Sequence, residues 1–204
     1  MRKYFFVFLL PLVFSCGKEI DPAELQDEPA VLTLYDQQVN FSDFASFYIP
    51  DSIGIVSDNS SLYHKDGSSA AQSILAKIRT SMESRGYTFT SKANAELGLN
   101  VTVLHQLNEE IHYAGYWWSY DGYYNSSYWG YGYAPYYYGY LYDYSYETGS
   151  MLIEMVDLKH APSTHKLKII WNTEIGTIYS NTISVSDASR YIDEAFNQSP
   201  YLKR

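Results

Sequence analysis

The sequence predicts an α+β domain in which a mostly antiparallel sheet carries two helices packed on one face. Two segments have apolar residues at the 3.6-residue period of a helix that buries one side. Several others alternate apolar and polar residues, and two of these are joined by a short polar turn, as in a β-hairpin. A tyrosine- and glycine-rich insert, residues 113–148, separates two of the predicted strands.

The first strands are short. Val31–Tyr35 and Phe44–Ile49 are rich in β-branched and aromatic residues, and Pro50 ends the second. Residues 51–68 mix Ser, Asp, Asn and Gly, a composition that predicts a loop.

The first helix is predicted to begin at Ser69 and to end at Arg85–Gly86. Ser69 can cap the amino terminus together with Gln72 three residues later, and glycine commonly follows the last turn. Five apolar residues fall on one helical face: Ala71, Ile74, Leu75, Ile78 and Met82.

Four further strands complete the predicted sheet. Tyr87–Thr90 is brief, and Leu97–Leu104 alternates as a strand with one largely buried face. Ser150–Leu158 and Leu167–Ile175 form the hairpin, with His160–Thr164 as its turn.

A second helix follows the hairpin. Ser186 is its predicted cap, and Ser199–Pro200 ends it. Its apolar positions recur at helical spacing: Ala188, Tyr191, Ile192, Ala195 and Phe196.

The amino-terminal residues predict a lipoprotein signal. Arg2 and Lys3 precede an apolar run, residues 4–14, that is about half the ~20 residues a membrane-spanning helix needs. The only cysteine, Cys16, directly follows the small residue Ser15, and residues 13–16, Val-Phe-Ser-Cys, resemble a bacterial lipobox. We therefore expect a signal peptide at 1–15, a covalent lipid on Cys16, an acidic flexible tether at 16–30, and a domain at 31–202.

A lipoprotein signal implies that the protein is located in the bacterial cell envelope. Acyl chains on Cys16 attach a protein to a membrane without a spanning segment. We expect an outer-membrane lipoprotein whose domain faces the periplasm or the cell surface.

Composition excludes several classes of function. The 204 residues carry a net charge of −9, which argues against nucleic acid as a partner. A single cysteine excludes an internal disulfide and a cysteine-built zinc site. There is no nucleophile elbow, P-loop or dinucleotide fingerprint, and the five histidines match no zinc motif. We expect no enzyme activity, no metal, and no cofactor besides the lipid.

The order of several soft motifs resembles a known family. They are Phe41–Phe47, Met82–Tyr87, Ala95–Val101, Gly149–Leu158, and Lys168–Trp171 before a final helix that ends near Pro200. Residues 31–202 resemble the DUF4136 family of bacterial lipoproteins, whose members commonly carry a tyrosine- and glycine-rich insert at this place. The family has no assigned activity, so the resemblance implies fold and location alone. Asn172-Thr173 stands where the family often has Arg-Gly.

The aromatic tract, residues 113–148, holds 15 of the 23 tyrosines, three tryptophans and no Lys or Arg. Its candidate binding residues are Tyr116, Trp117, Trp118, Tyr120, Tyr123, Tyr124, Tyr128, Trp129, Tyr136, Tyr137 and Tyr138. Tyr and Trp suit protein interfaces, stacking on sugars, and the lipid headgroup level. Because the tract has no cation of its own, a Lys or Arg on a partner could stack on its rings.

A fourth interpretation is a compositionally biased loop that partly covers the domain itself. The sequence thus predicts a non-catalytic binding or structural module with an aromatic arm for contacts to an envelope protein. The alternative is a glycan-binding protein, or a hydrolase that acts on envelope polymers.

Overall fold

A computed structural model describes residues 30–56, 63–104, 126–130, 135–137, 149–176 and 185–204. The predicted signal peptide, the lipidation site Cys16 and the predicted tether up to residue 29 lie outside the described residues. The strands are β1 Val31–Tyr35, β2 Ser46–Tyr48, β3 Ile53–Val56, β4 Tyr63–Asp66, β5 Thr88–Phe89, β6 Leu97–Leu104, β7 Pro135–Tyr137, β8 Met151–Asp157 and β9 Leu167–Ile175. The helices are α1 Ser69–Ser84, α2 Ala161–Thr164 and α3 Val185–Asn197, and three short 3₁₀ turns span Phe41–Asp43, Lys92–Asn94 and Ser126–Trp129.

The sheet confirms the predicted α+β class and is mostly antiparallel, although it is mixed rather than purely antiparallel. Its central path runs β1-β9-β8-β6-β2-β5. The long pairings β6–β8, β8–β9 and β1–β9 are antiparallel. In contrast, β2 and β3 both lie parallel to β6. Parallel strands need a crossover connection, and here α1 lies in the chain between β3 and β6.

The prediction of a loop at 51–68 is wrong for two segments. Ile53–Val56 forms β3 and Tyr63–Asp66 forms β4, and the two pair antiparallel. The run Ile-Gly-Ile-Val is too short and too closely flanked by polar residues to stand out by alternation. Its pairing with β6, about fifty residues later in the chain, buries all four residues.

Helices α1 and α3 pack on one face of the sheet and enclose the main core. The five apolar residues predicted for the α1 face are the five that it buries. The cap, however, is Ser68: its Oγ accepts a hydrogen bond from Ala71 N at 3.3 Å. The end is as predicted, since Gly86 adopts φ 94° and Tyr87 N donates to Met82 O.

The second half of the domain follows the predicted elements with local changes. β8 and β9 form the expected hairpin, but its turn folds into α2, a single helical turn over Ala161–Thr164. α3 begins at Val185, one residue before the predicted cap Ser186. Every residue of β6 is buried, so this strand has two covered faces rather than one. No helix among the described residues is long and apolar enough to span a bilayer.

Candidate functional site

The structure describes four of the predicted aromatic binding residues. Tyr128 and Trp129 lie in the 3₁₀ turn Ser126–Trp129, and Tyr136 and Tyr137 lie in β7. The other candidates lie outside the described residues: Tyr116, Trp117, Trp118, Tyr120, Tyr123, Tyr124 and Tyr138.

Trp129 packs against the sheet face opposite the helices. Its side chain is only 5% exposed. A β-carbon at Gly98 would lie 2.6 Å from Cζ3 of Trp129, so the indole sits on β6 where the strand has no side chain. Tyr48 meets the indole edge-on at 6.3 Å between ring centroids, and Tyr128 does so at 5.1 Å. This ring is therefore held by the domain itself.

Lys92 fixes the neighbouring Tyr128. Its Nζ donates to the backbone oxygen of Tyr128 at 2.7 Å and lies 4.0 Å from the centre of the ring. The hydroxyls of Tyr128 and Tyr48 are 3.3 Å apart. The cation that lies over the Tyr128 ring is therefore Lys92 of the same domain. The sequence had suggested a Lys or Arg on a partner. Lys92 is 36 residues away in the chain, so no local pattern signals the contact.

We call the group Tyr48, Lys92, Gly98, Tyr128 and Trp129 the aromatic anchor. Strand β7 provides a second attachment of the same tract, because it pairs in parallel with the first residues of β9, Pro135 opposite Leu167. Both attachments lie in a single row of residues that are opposite one another on neighbouring strands. This row is Tyr48, Gly98, Val156, Ile169 and Tyr137.

Beyond Gly98, the same face carries a buried polar row. Asn100 on β6, Glu154 on β8 and Asn172 on β9 are opposite one another in register and are 0%, 1% and 5% exposed. Within the part of the chain that the structure describes, neither amide atom of Asn100 has a hydrogen-bond partner, nor does Thr102 Oγ1.

A separate open cleft of about 670 Å³ lies at the end of the sheet where β8 stops. We call it the Asp–His cleft. It is lined by Gln38, Val39, Asn40, Asp43, Phe44, Asp157, His160, Thr164, Lys166 and Lys168.

Asp157 holds His160 at this cleft. The Asp157 side chain is 9% exposed, and its Oδ1 accepts a hydrogen bond from His160 N at 2.9 Å. Its Oδ2 lies 2.8 Å from His160 Nδ1. Asp157 thus bonds the backbone that follows it, as aspartate commonly does in turns. The second contact, to the imidazole, was not anticipated.

Two further carboxylates lie beside the cleft, and both pair with lysines. Asp36 is buried and forms an ion pair with Lys168. Glu96 Oε1 lies 3.2 Å from Lys159 Nζ. Burial acts to raise the pKa of Glu96, but the hydrogen bond from Ala45 N and the ammonium of Lys159 hold this pKa below its usual value.

The described residues contain no cluster of three or more His, Cys, Asp or Glu that could hold a metal ion. The Asp–His cleft offers hydrogen-bonding and charged side chains above the apolar ring of Phe44, and the aromatic anchor fixes the tract to the opposite face.

The fold and these two regions define a small α+β domain with helices on one face and an aromatic insert docked on the other. The chain matches the family model described as "Domain of unknown function (DUF4136)" over residues 31–201. It therefore belongs to the DUF4136 family, as the sequence resemblance implied.

A solved structure of a family member agrees with this assignment. The chain is 33% identical to a DUF4136 family protein from Bacteroides thetaiotaomicron VPI-5482, with a TM-score of 0.71 over 87% of this chain and 98% of that chain. A PelC dodecamer from Paraburkholderia phytofirmans is 13% identical, with a TM-score of 0.39 over 86% of this chain and 98% of that chain. That second likeness is too weak to bear on fold or function. No curated protein matches the chain.

Proposed function

We propose that this chain is a lipoprotein of the bacterial outer membrane, attached through Cys16. Its DUF4136 domain is a non-catalytic module that uses the aromatic tract for contacts with an envelope protein. Two sequence features support the anchor: the lipobox-like residues 13–16 and the absence of any other cysteine in the chain. Acylation would place the domain within about fifteen residues of the membrane surface.

The observation that carries the binding role is the docking of Trp129 on Gly98. Tyr and Trp dominate protein interfaces because they bring large contact areas at a low cost in side-chain entropy. The anchor and β7 attach the tract to the domain at two places, and preorganisation of this kind lowers the entropic cost of binding.

The lipid anchor is tested with Cys16→Ser. We expect the wild-type chain to incorporate labelled palmitate and to sediment with membranes, and the variant to do neither. Ser15→Ala is the matched control and should keep both properties, since a small residue still precedes the cysteine. Palmitate labelling that survives in Cys16→Ser would contradict the anchor. Protease treatment of intact cells then separates a surface-facing domain, which is cleaved, from a periplasmic one.

The binding role is tested by crosslinking and pulldown from envelopes. Deleting 113–148 also removes Trp129 and β7, so a sharper variant replaces Tyr116, Trp117, Trp118 and Tyr120 with Ser and keeps the two attachments. We expect this variant to lose a partner that the wild type captures. The control replaces Tyr35, an exposed tyrosine outside the tract, with Ser.

Retention of every partner by the tract variant would refute the role of the tract in protein contacts. The same two proteins on a glycan array test the alternative. Glycan binding that depends on the four aromatic residues would favour sugars over a protein partner.

A further inference from the structure

Strand β1 is the outermost strand at one end of the sheet. It pairs with β9 along one side, and no strand of the described residues pairs with its other side. Its first four residues are half-buried and Tyr35 is 38% exposed, so the strand is open to solvent. A strand edge of this kind presents main-chain donors and acceptors that a further strand can use.

The direction of the main-chain groups of β1 follows from its bonds to β9. Asp36 comes directly after the strand, and its N donates to Ile170 O of β9 at 2.9 Å. Main-chain groups alternate between the two sides of a strand, so every second residue bonds β9. The residues between them, Val31, Thr33 and Tyr35, therefore point their N–H and C=O groups away from β9.

The other edges of the sheet are protected, and β1 is not. The strands β4, β5 and β7 each pair with one other described strand. β5 has two residues, β7 begins with Pro135, and β4 carries Lys65 and Asp66. Short length, proline and charged side chains are common protections of an edge against further pairing. β1, Val-Leu-Thr-Leu-Tyr, has five residues with no charge and no proline.

We propose that β1 pairs antiparallel with β1 of a second copy of this chain, across a twofold axis at Thr33. Thr33 exchanges both main-chain hydrogen bonds with Thr33 of the other copy, and Val31 exchanges them with Tyr35. Val31 O accepts from Gln198 Nε2 at 3.3 Å and has a second lone pair for the new bond. Threonine opposite threonine is a favourable cross-strand pair, and β1 brings no like charges together. Tyr35 contributes main-chain groups only, since its ring stacks on Tyr201 of its own copy at 3.7 Å between centroids.

A second copy is the occupant that the position of β1 in the chain favours, an argument that rests on the proposed lipid anchor. β1 begins about fifteen residues after Cys16, a length that reaches about 50 Å when extended. In the twofold pair the two Val31 residues lie about 15 Å apart, so both tethers reach the same membrane. Attachment to one membrane raises the effective concentration of β1, which supports a pairing of only five residues.

Disulfide crosslinking of the full chain in envelopes tests the pairing. The two α-carbons at position 33 lie about 5.5 Å apart in the proposed pair, within the range that a disulfide spans. We expect Thr33→Cys to give a reducible dimer after mild oxidation. Tyr35→Cys is the matched control: position 35 is the more exposed, but its two copies lie about 15 Å apart, so this variant should remain monomeric. The wild type, whose Cys16 thiol is acylated in the proposed anchor, is the blank.

An amine-reactive crosslinker on the same envelopes gives a second measurement. Thr33→Pro removes an N–H that points away from β9, so it should abolish the crosslinked dimer of the wild type. Thr33→Val keeps this N–H and should keep the dimer. The cysteine variants carry the test if Thr33→Pro does not fold. Palmitate labelling of the same samples reports the lipid anchor separately, so a failure of the anchor is distinguished from a failure of the pairing.

Either of two results would overturn the strand pairing. One is the absence of a disulfide dimer in Thr33→Cys. The other is an equal yield of dimer from Thr33→Cys and Tyr35→Cys, which would indicate random collision between copies.

Discussion

At the scale of single residues, the contact between Gly98 and Trp129 joins the aromatic tract to the sheet. Gly98→Ala introduces a β-carbon 2.6 Å from the indole, so the ring must move. We expect a loss of about 1–3 kcal/mol in the free energy of unfolding, as overpacking usually causes. Urea denaturation followed by tryptophan fluorescence measures it.

Gly67→Ala is the matched control, because no atom of the described residues, apart from Gly67 itself and its two chain neighbours, lies within 4 Å of a β-carbon built at Gly67. Its effect on the free energy of unfolding should be close to zero. A second control is the double variant Gly98→Ala/Trp129→Ala, whose loss should be smaller than the sum of the two single losses. Equal stability of the Gly98 and Gly67 variants would show that the indole does not rest on β6.

Tyr87 makes the stability sensitive to alkaline pH. Its hydroxyl donates to Phe41 O at 3.0 Å inside the core, and burial raises the pKa of Tyr87 from 10.0 to about 12, despite the opposing charge of Arg85. Burial raises the pKa of Tyr201 as well. Because the folded state favours the protonated phenol, its contribution is complete below pH 10 and is lost as the pH rises through about 12.

We therefore expect the free energy of unfolding to fall between pH 10 and pH 12, and to fall less steeply in Tyr87→Phe. Denaturation curves at intervals across this window measure both slopes. Tyr35→Phe is the control, since Tyr35 is partly exposed. Identical slopes in the wild type and Tyr87→Phe would rule out this residue as the source.

At the scale of elements, α1 shows which details a sequence pattern defines. Its five buried residues and its glycine stop follow from the helical period and from local backbone preferences. The cap is less certain, because Ser68 and Ser69 are adjacent and both are suitable. The choice depends on the backbone before the helix, where Ser68 N donates to Asp66 Oδ1 at 2.8 Å.

The two serines give opposite predictions. Ser68→Ala should cost about 1 kcal/mol in the free energy of unfolding, because Ala71 N loses its acceptor. Ser69→Ala should be neutral or slightly stabilising, because alanine is the better helix former. Urea denaturation of the two variants decides between the positions, and a larger loss for Ser69→Ala would restore the cap that the sequence suggested.

Strands β3 and β4 show the opposite case. Each has only four residues, and polar and glycine residues lie next to them. An alternation of apolar and polar residues therefore cannot be recognised in either strand. They exist because β6 offers an edge for β3 to pair with, and β4 then pairs with β3. The Asp–His cleft was missed for the same kind of reason, since its lining joins residues 38–44 to residues 157–168, which are far apart in the chain.

At the scale of the whole molecule, the tract is part of the fold at the two segments that are described. Trp129 covers Gly98, and β7 extends the sheet beside β9. We expect deletion of residues 113–148 to lower the melting temperature of the domain by several degrees, as the loss of a buried tryptophan would. Scanning calorimetry measures the change.

A deletion of residues 17–29 in the predicted tether is the matched control, because it removes none of the described strands, helices or core residues. Its melting temperature should equal that of the wild type. If the deletion of 113–148 also leaves the melting temperature unchanged, the tract contributes nothing to stability and is only an appendage.

The sequence by itself determined the elements whose signal is local: the α+β class, the buried face of α1, the β8–β9 hairpin and the family resemblance. A period of 2 or 3.6 residues can be recognised within ten or fifteen residues, whatever the rest of the chain does. The tertiary structure alone decided the parallel pairings of β2 and β3 with β6, the packing of Trp129 against Gly98, and the formation of the Asp–His cleft. These features join residues that are far apart in the chain, and their free energy comes from contacts that exist only once the sheet has formed.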